Sequence, residues 1–333
     1  GGKISDAIEI FTRINTKGST LTKDWMLSAL TSDEGTDFNL NDNIKDLKQD
    51  LRSYGFEYLK RDTVIQCIQN SFGHIYFDTK IEDLARRNDF IDTVDKALKS
   101  IYKAVRFLYE ELLVVTPKLL PYNNQLIFLT EFFNYFDNPS EQQKNDLKKW
   151  FWQTSYANYF TIYSLSKIRE AYKLFQGYLL GKSHIILYND KPNQPFTVAS
   201  FPNKLAYKGV RSKTLTLFLL NYANQFEKAI TVLGDSQALN NIYLYPTDNS
   251  AEGVISLLDT DENLELLFLV TNKRAPKNLE IALTEDLYQD DLQKFFLTRD
   301  MIGKNKKEVL QIRKELIQKE EKKFVESLGL QYE

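Results

Sequence analysis

DFIDTVDKALKSIYKAVRFLYEELLVV, residues 89–115, decides the fold class. Phe90, Val94, Ala97, Leu98, Ile101, Val105, Leu108 and Leu112 recur at steps of three and four, the period of one helix face. The spacing predicts a long amphipathic helix. Thr116-Pro117 is expected to end it, because the residue before a proline avoids the helical region. An apolar stripe of that length must be buried against other elements, and its neighbours along the chain read as helices too.

Before it, Ile44, Leu47 and Leu51 make Asn41–Tyr54 amphipathic, and Thr63–Gln69 and Ile81–Leu84 are shorter helical segments. After it, a helix over Asn124–Phe136 stops near Asn138-Pro139, and Ser140 with Gln143 forms a capping box for the next one. Ile162–Leu180 reads as another long helix. The character then changes. Asn189, Pro192, Asn193, Pro195 and Pro202 make a loop region, with a strand expected at His184–Tyr188 and a soft boundary close by. Leu215–Phe226 is an apolar helix, and Asn241–Tyr245 and Leu264–Val270 read as short strands. The expected fold is therefore mainly α: a multi-helix bundle with a small α+β C-terminal part. No internal repeat is apparent.

Hydrophobic residues make up 43% of the 333, enough for a sizeable core, and two domains are expected at this length. No apolar run approaches the roughly 18 residues of a membrane helix, so a cytoplasmic protein is expected. Cys67 stands alone among Val64, Ile65 and Ile68, which excludes an internal disulfide and suggests a buried, inert thiol.

A net charge of −2 advertises no polyanion globally, but the local charge is uneven. Residues 303–323 hold Lys304, Lys306, Lys307, Arg313, Lys314, Lys319, Lys322 and Lys323 against Glu308, Glu315, Glu320 and Glu321. Val309, Ile312, Leu316 and Phe324 give that helix an apolar face, so its cations form either a solvated outer face or a phosphate contact. Lys204, Lys208, Arg211 and Lys213 form a second basic cluster. Asp248, Glu252, Asp259, Asp261, Glu262 and Glu265 mark a solvent-facing loop and strand edge without calcium-loop spacing.

Near the start, Ile4, Ala7, Ile8, Phe11 and Ile14 share one helix face. Asn15, Lys17 and Gly18 break the pattern, and Thr22 can cap a second helix over Lys23–Leu30, with Asp24 in its first turn. This is a helix–turn–helix packing unit, or a place where Arg13 and Asn15 meet a phosphate. The phrase Phe11-x-Arg13-Ile14-Asn15-x-x-Gly18-x-x-Leu21 resembles the one that closes the N-terminal domain of GmrSD-type restriction proteins. In that family the domain has a ParB/sulfiredoxin-like fold and hydrolyses nucleotides. Its upstream Asp-Gly-Gln-Gln-Arg signature is absent from these residues.

The series Leu120-Pro121-Tyr122, then Trp150-Phe151-Trp152, Ser155, Tyr156 and Tyr159, is similar to one in the family's helical region. Read as residues alone, these aromatics are a core seam or a base-stacking platform. The resemblance implies a piece cut from a longer antiphage restriction protein, with three parts. Residues 1–40 would be the tail of a truncated first domain, with Arg13 and Asn15 as remnants of its nucleotide pocket. Residues 41–182 would be a helical domain, and 183–333 an α+β module ending in a long basic helix.

Such proteins usually end in a His-Me-finger nuclease, in which a histidine activates water, a divalent metal stabilises the leaving oxygen and an asparagine orients the histidine. The chain has only His74 and His184, and neither is followed by proline three residues on. Where the motif would fall stands Asn240-Asn241-Ile242-Tyr243-Leu244-Tyr245-Pro246, and Asn272 and Ile312-Arg313 resemble later parts of the module. Loss of the histidine base would cost roughly 10²–10⁴-fold in rate, so a degenerate nuclease-like module kept as a binding surface is expected. His184 and Asn272 are the candidate catalytic residues; His184 also reads as a structural histidine, and His74 more so. No metal-ligand spacing, phosphate-cradling glycine loop or Gly-x-Ser-x-Gly elbow is present.

Three functions follow. The first is a non-catalytic or weakly catalytic DNA-engaging fragment coupled to a nucleotide-hydrolysing domain or partner subunit. Its DNA contacts would be Lys204, Lys208, Arg211, Lys213, Lys304, Lys306, Lys307, Arg313 and Lys314. The second is a metal-dependent nuclease, and the third an interaction scaffold for an NTPase subunit. No cofactor is expected in this chain; nucleotide and divalent metal are implied for longer family members.

Overall fold

A computed structural model of the chain describes residues 38–225, 242–245, 248–256, 280–281, 283–284 and 289–333. The first two expected helices with Arg13 and Asn15, the strand at Leu264–Val270, the carboxylates Asp259, Asp261, Glu262 and Glu265, and Asn272 lie outside the described residues.

The described chain is mainly helical. In order its elements are α1 (Leu40–Asp50), a 3₁₀ turn (Leu51–Tyr54), α2 (Arg61–Asn70), α3 (Ile81–Leu84), α4 (Phe90–Leu112), α5 (Asn123–Tyr135), α6 (Glu141–Tyr156), α7 (Tyr159–Ile162) and α8 (Leu165–Leu179). There follow β1 (Thr197–Val198), α9 (Val210–Asn224), β2 (Ile242–Tyr243), β3 (Val254–Ser256), α10 (Gln289–Lys294), α11 (Lys306–Ser327) and β4 (Gln331–Tyr332). β1 pairs with β4 in parallel, and β2 with β3 antiparallel across an irregular register. No described helix is long and apolar enough to cross a membrane.

Three expected boundaries move, each for a local reason. The long helix stops at Leu112 rather than at Thr116, because Leu113 takes a left-handed φ of 54°. Val114 N–H then donates to Leu108 C=O at 2.9 Å, which satisfies a carbonyl at the helix end. The helix expected over Ile162–Leu180 is broken, because Tyr163 is extended (φ −95°, ψ 134°) between α7 and α8. His184–Tyr188 forms no strand. Instead Tyr159 Oη donates to Tyr188 C=O at 2.9 Å and Tyr163 Oη to the Asp190 carboxylate at 2.9 Å, so side chains hold this segment in place of a ladder.

The chain divides into two compact units that are discontinuous in sequence: residues 1–107, 123–140 and 169–185, and residues 108–122, 141–168 and 186–333. The parts expected from the sequence are contiguous instead; of these switches the last, at Ile185, falls near an expected boundary.

In the first unit, Asn39 caps α1 by accepting from Asn41 N–H (3.0 Å) and Asp42 N–H (3.3 Å), and Leu40, Ile44 and Leu47 are buried beneath it. Along α4, Val94, Ala97, Ile101, Ala104 and Val105 are all fully buried. α2 packs on α5, which is buried nearly all round its circumference from Gln125 to Phe133 and is the axis of this core. The Phe128 ring meets Tyr172 (5.7 Å) and Phe175 (5.1 Å) edge-on. Cys67 is buried there, and burial pushes its thiol up to about 12, the inert state its neighbours suggested.

The second unit is organised by aromatics on α6 and α11. Trp150, Phe151, Trp152, Tyr156 and Tyr159 are all buried, so they form a core seam and offer no face to a base. Phe324 of α11 meets Trp152 edge-on at 5.1 Å and Phe218 of α9 at 5.7 Å. A second cluster gathers Leu244, Leu283, Leu292, Phe295, Met301 and Val309.

Candidate functional site

α11 carries most of the charge of interest. It opens with a capping box: Asn305 accepts from Glu308 N–H at 3.1 Å, and the Glu308 carboxylate accepts from Asn305 N–H at 2.9 Å. The residues it buries are Val309, Arg313, Ile317, Glu321 and Val325, each four after the last. Ile312, Leu316 and Phe324, expected on the apolar face, flank that row and are half-buried. The helix therefore turns an arginine and a glutamate inward.

Glu321 has no solvent exposure. Arg211 of α9 donates to it bidentately, Nη1 to Oε1 at 2.8 Å and Nη2 to Oε2 at 2.7 Å. Tyr156 Oη donates to Oε1 at 3.0 Å and Tyr332 Oη to Oε2 at 2.8 Å. Arg211 Nε donates to Ala199 C=O at 2.9 Å, and the guanidinium lies 5.6 Å from the Tyr156 ring centre. A pair whose nitrogens and carboxylate oxygens each have a hydrogen-bond partner sets geometry: it ties α6, α9, α11 and β4 together. Burial drives the Tyr156 hydroxyl well above its ordinary value, and the adjacent Glu321 charge adds to this, so it keeps the proton it donates to Glu321.

Arg313 is 1% exposed. Its Nε donates to Phe295 C=O at 2.9 Å and its Nη1 to Glu252 C=O. Burial lowers it to about 10, against the charges of Glu252 and Asp248. Lys213 Nζ donates to Leu120 C=O at 2.9 Å. Arg211, Arg313 and Lys213 thus leave the set of surface contacts that the sequence suggested, because folding commits their donors internally.

The remaining cations stay outside. Lys204, Lys208, Lys304 and Lys307 are exposed and form no ion pair among the described residues. Lys314 Nζ lies 5.4 Å from the Phe201 ring centre and Lys306 Nζ 5.6 Å from that of Tyr245. The loop bearing Lys204 is held by Ala251 N–H donating to Asn203 C=O at 2.8 Å, beside the Glu252 carbonyl that takes Arg313. The loop, the 251–253 turn and the middle of α11 therefore form one anchored surface.

His184 is exposed and belongs to the first unit; among the described residues no three His, Cys, Asp or Glu side chains converge. The residues the sequence reading passed over are Glu321, Tyr156 and Tyr332 as a set. The signal was present in the four-residue spacing of Arg313, Ile317, Glu321 and Val325, which places both ionic groups on one stripe with apolar neighbours. No family model, curated protein or solved structure matches this chain.

Proposed function

We propose that this chain is a DNA-engaging, non-catalytic body of a GmrSD-like antiphage restriction protein, coupled to a nucleotide-hydrolysing domain or subunit. One observation carries the DNA part. Once folding has consumed Arg211, Lys213 and Arg313, the lysines left over from both basic clusters remain at the surface of a single unit. Lys204, Lys208, Lys304, Lys307 and Lys314 have no carboxylate partner among the described residues. Flexible ammonium groups free of counter-charges suit sequence-independent contact with a phosphate backbone. The buried arginines hold the elements that carry them. The resemblance in Leu120–Tyr122 and Trp150–Trp152 supports the family part.

The test is duplex DNA binding by fluorescence anisotropy at about 50 mM salt, with and without Lys204→Glu, Lys208→Glu, Lys304→Glu and Lys307→Glu combined. The expected result is a loss of at least tenfold in affinity with unchanged helical circular dichroism. Absence of duplex binding by the unsubstituted chain, or equal binding by the variant, overturns the proposal.

A further inference from the structure

The first unit carries a cationic groove of a different kind. Lys45, Lys48 and Arg52 follow one another at steps of three and four along α1 and the 3₁₀ turn that continues it. Those steps align them in one row, about 10 Å long at 1.5 Å per residue. Together with Arg61, Glu57 and Tyr58 they line an open groove of about 630 Å³. Lys45, Lys48 and Arg52 form no ion pair among the described residues. Two carboxylates of the same helix, Asp46 and Asp50, line a separate groove with Asp95, Lys99 and Lys103. Lys48 and Arg52 near a helix C-terminus also complement its dipole, but that gives no reason for Lys45, Arg61 and Tyr58 to share their wall.

One further observation points to a ligand. Tyr58 is 61% exposed and its ring touches no other described ring. A row of cations beside an uncovered aromatic face matches the parts of a single strand of nucleic acid: phosphates and a base face. At ~3.4 Å of axis per stacked nucleotide, the row faces about three phosphates.

We infer that this groove binds single-stranded nucleic acid, with consecutive phosphates on Lys45, Lys48 and Arg52 and one base stacked on Tyr58. The inference goes beyond the duplex reading and stands on different residues. An acidic peptide would satisfy the lysines but would leave Tyr58 unused.

The probe is fluorescein-labelled oligo(dC) of roughly 12 nucleotides, read by anisotropy at about 50 mM salt and above. The unsubstituted chain is expected to bind it with a log–log salt slope of about −2, the single-strand value for three phosphates. Combining Lys45→Glu, Lys48→Glu and Arg52→Glu should abolish binding. Tyr58→Ala should weaken it about tenfold, and the exposed Lys80→Ala should leave it intact. Reversing Lys204, Lys208, Lys304 and Lys307 should not affect oligo(dC) binding, which separates this inference from the duplex proposal. No anisotropy change at low salt, full binding by the triple variant, or displacement by oligoglutamate as effective as by unlabelled oligo(dC) overturns it.

Discussion

Glu131 lies at the centre of the first unit, 2% exposed, and Asn70 Nδ2 donates to it at 3.2 Å. Burial pushes its carboxyl up to about 7, while hydrogen bonds from Tyr172, Asn70, Gln176 and Asn134 pull the other way. In the unfolded chain the same group titrates near 4.5. Between those values the folded protein holds a proton that the unfolded chain has released. Its contribution to stability is therefore complete below pH 4.5 and is lost as pH rises through 7. Tyr135 and Tyr172, whose hydroxyls are raised partly by this charge, stay neutral throughout. The protonated form has a use for its O–H, since Asn70 Oδ1 and Asn134 Oδ1 are buried acceptors with no partner. Glu131→Gln keeps a neutral donor at that place. It is expected to stabilise the protein at pH 8 by up to about 3 kcal/mol, from the size of the shift at 1.36 kcal/mol per pKa unit, and by nothing at pH 4. Urea denaturation at the two pH values checks this, and an equal shift at both would be the wrong outcome.

At the scale of elements, α11 shows how a helix can be legible in extent and misread in rotation. Its residue pattern predicts a helix, and the helix runs from Lys306 to Ser327. Its buried row, however, is Val309, Arg313, Ile317, Glu321 and Val325, because the arginine and glutamate find partners on α9, β4 and the 251–253 turn. Hydrophobicity alone scores these two residues as surface. Phe324, at the edge of that row, closes the aromatic seam against Trp152, Tyr156 and Phe218. Phe324→Ala should cost roughly 2–4 kcal/mol in the unfolding transition and weaken the near-ultraviolet dichroism of the seam. The exposed neighbour Lys323, paired with Glu320 at 2.6 Å, should cost about 0–1 kcal/mol when made alanine. Equal costs would mean that the seam contributes no packing.

For the molecule as a whole, a net charge of −2 and a pI near 6.0 give no general attraction to polyanions. Any affinity for DNA has to come from local groups, so it has a definite salt signature. Four lysine contacts imply a duplex log–log slope near −3.6, or about a hundredfold loss between ~50 and ~200 mM salt. A salt titration of duplex binding measures this directly, and a flat response would exclude backbone contact by the lysines.

The mainly helical character, the stripe of α4, the breaks near proline and the inert environment of Cys67 follow from the chain itself. They depend on periodicity, backbone sterics and nearest neighbours, which are local properties. The aromatic seam was one of two readings until the fold showed those rings to be buried. Which cations are free was undecidable from sequence. Arg211 meets Glu321 across 110 positions, and Arg313 meets the Glu252 carbonyl across 61. A charge is solvated or committed according to what packs beside it, and only tertiary structure brings such distant residues together. The row of Lys45, Lys48 and Arg52 was present in the sequence as spacing, but its meeting with Tyr58, Glu57 and Arg61 in one groove depends on the turn after α1 and the start of α2.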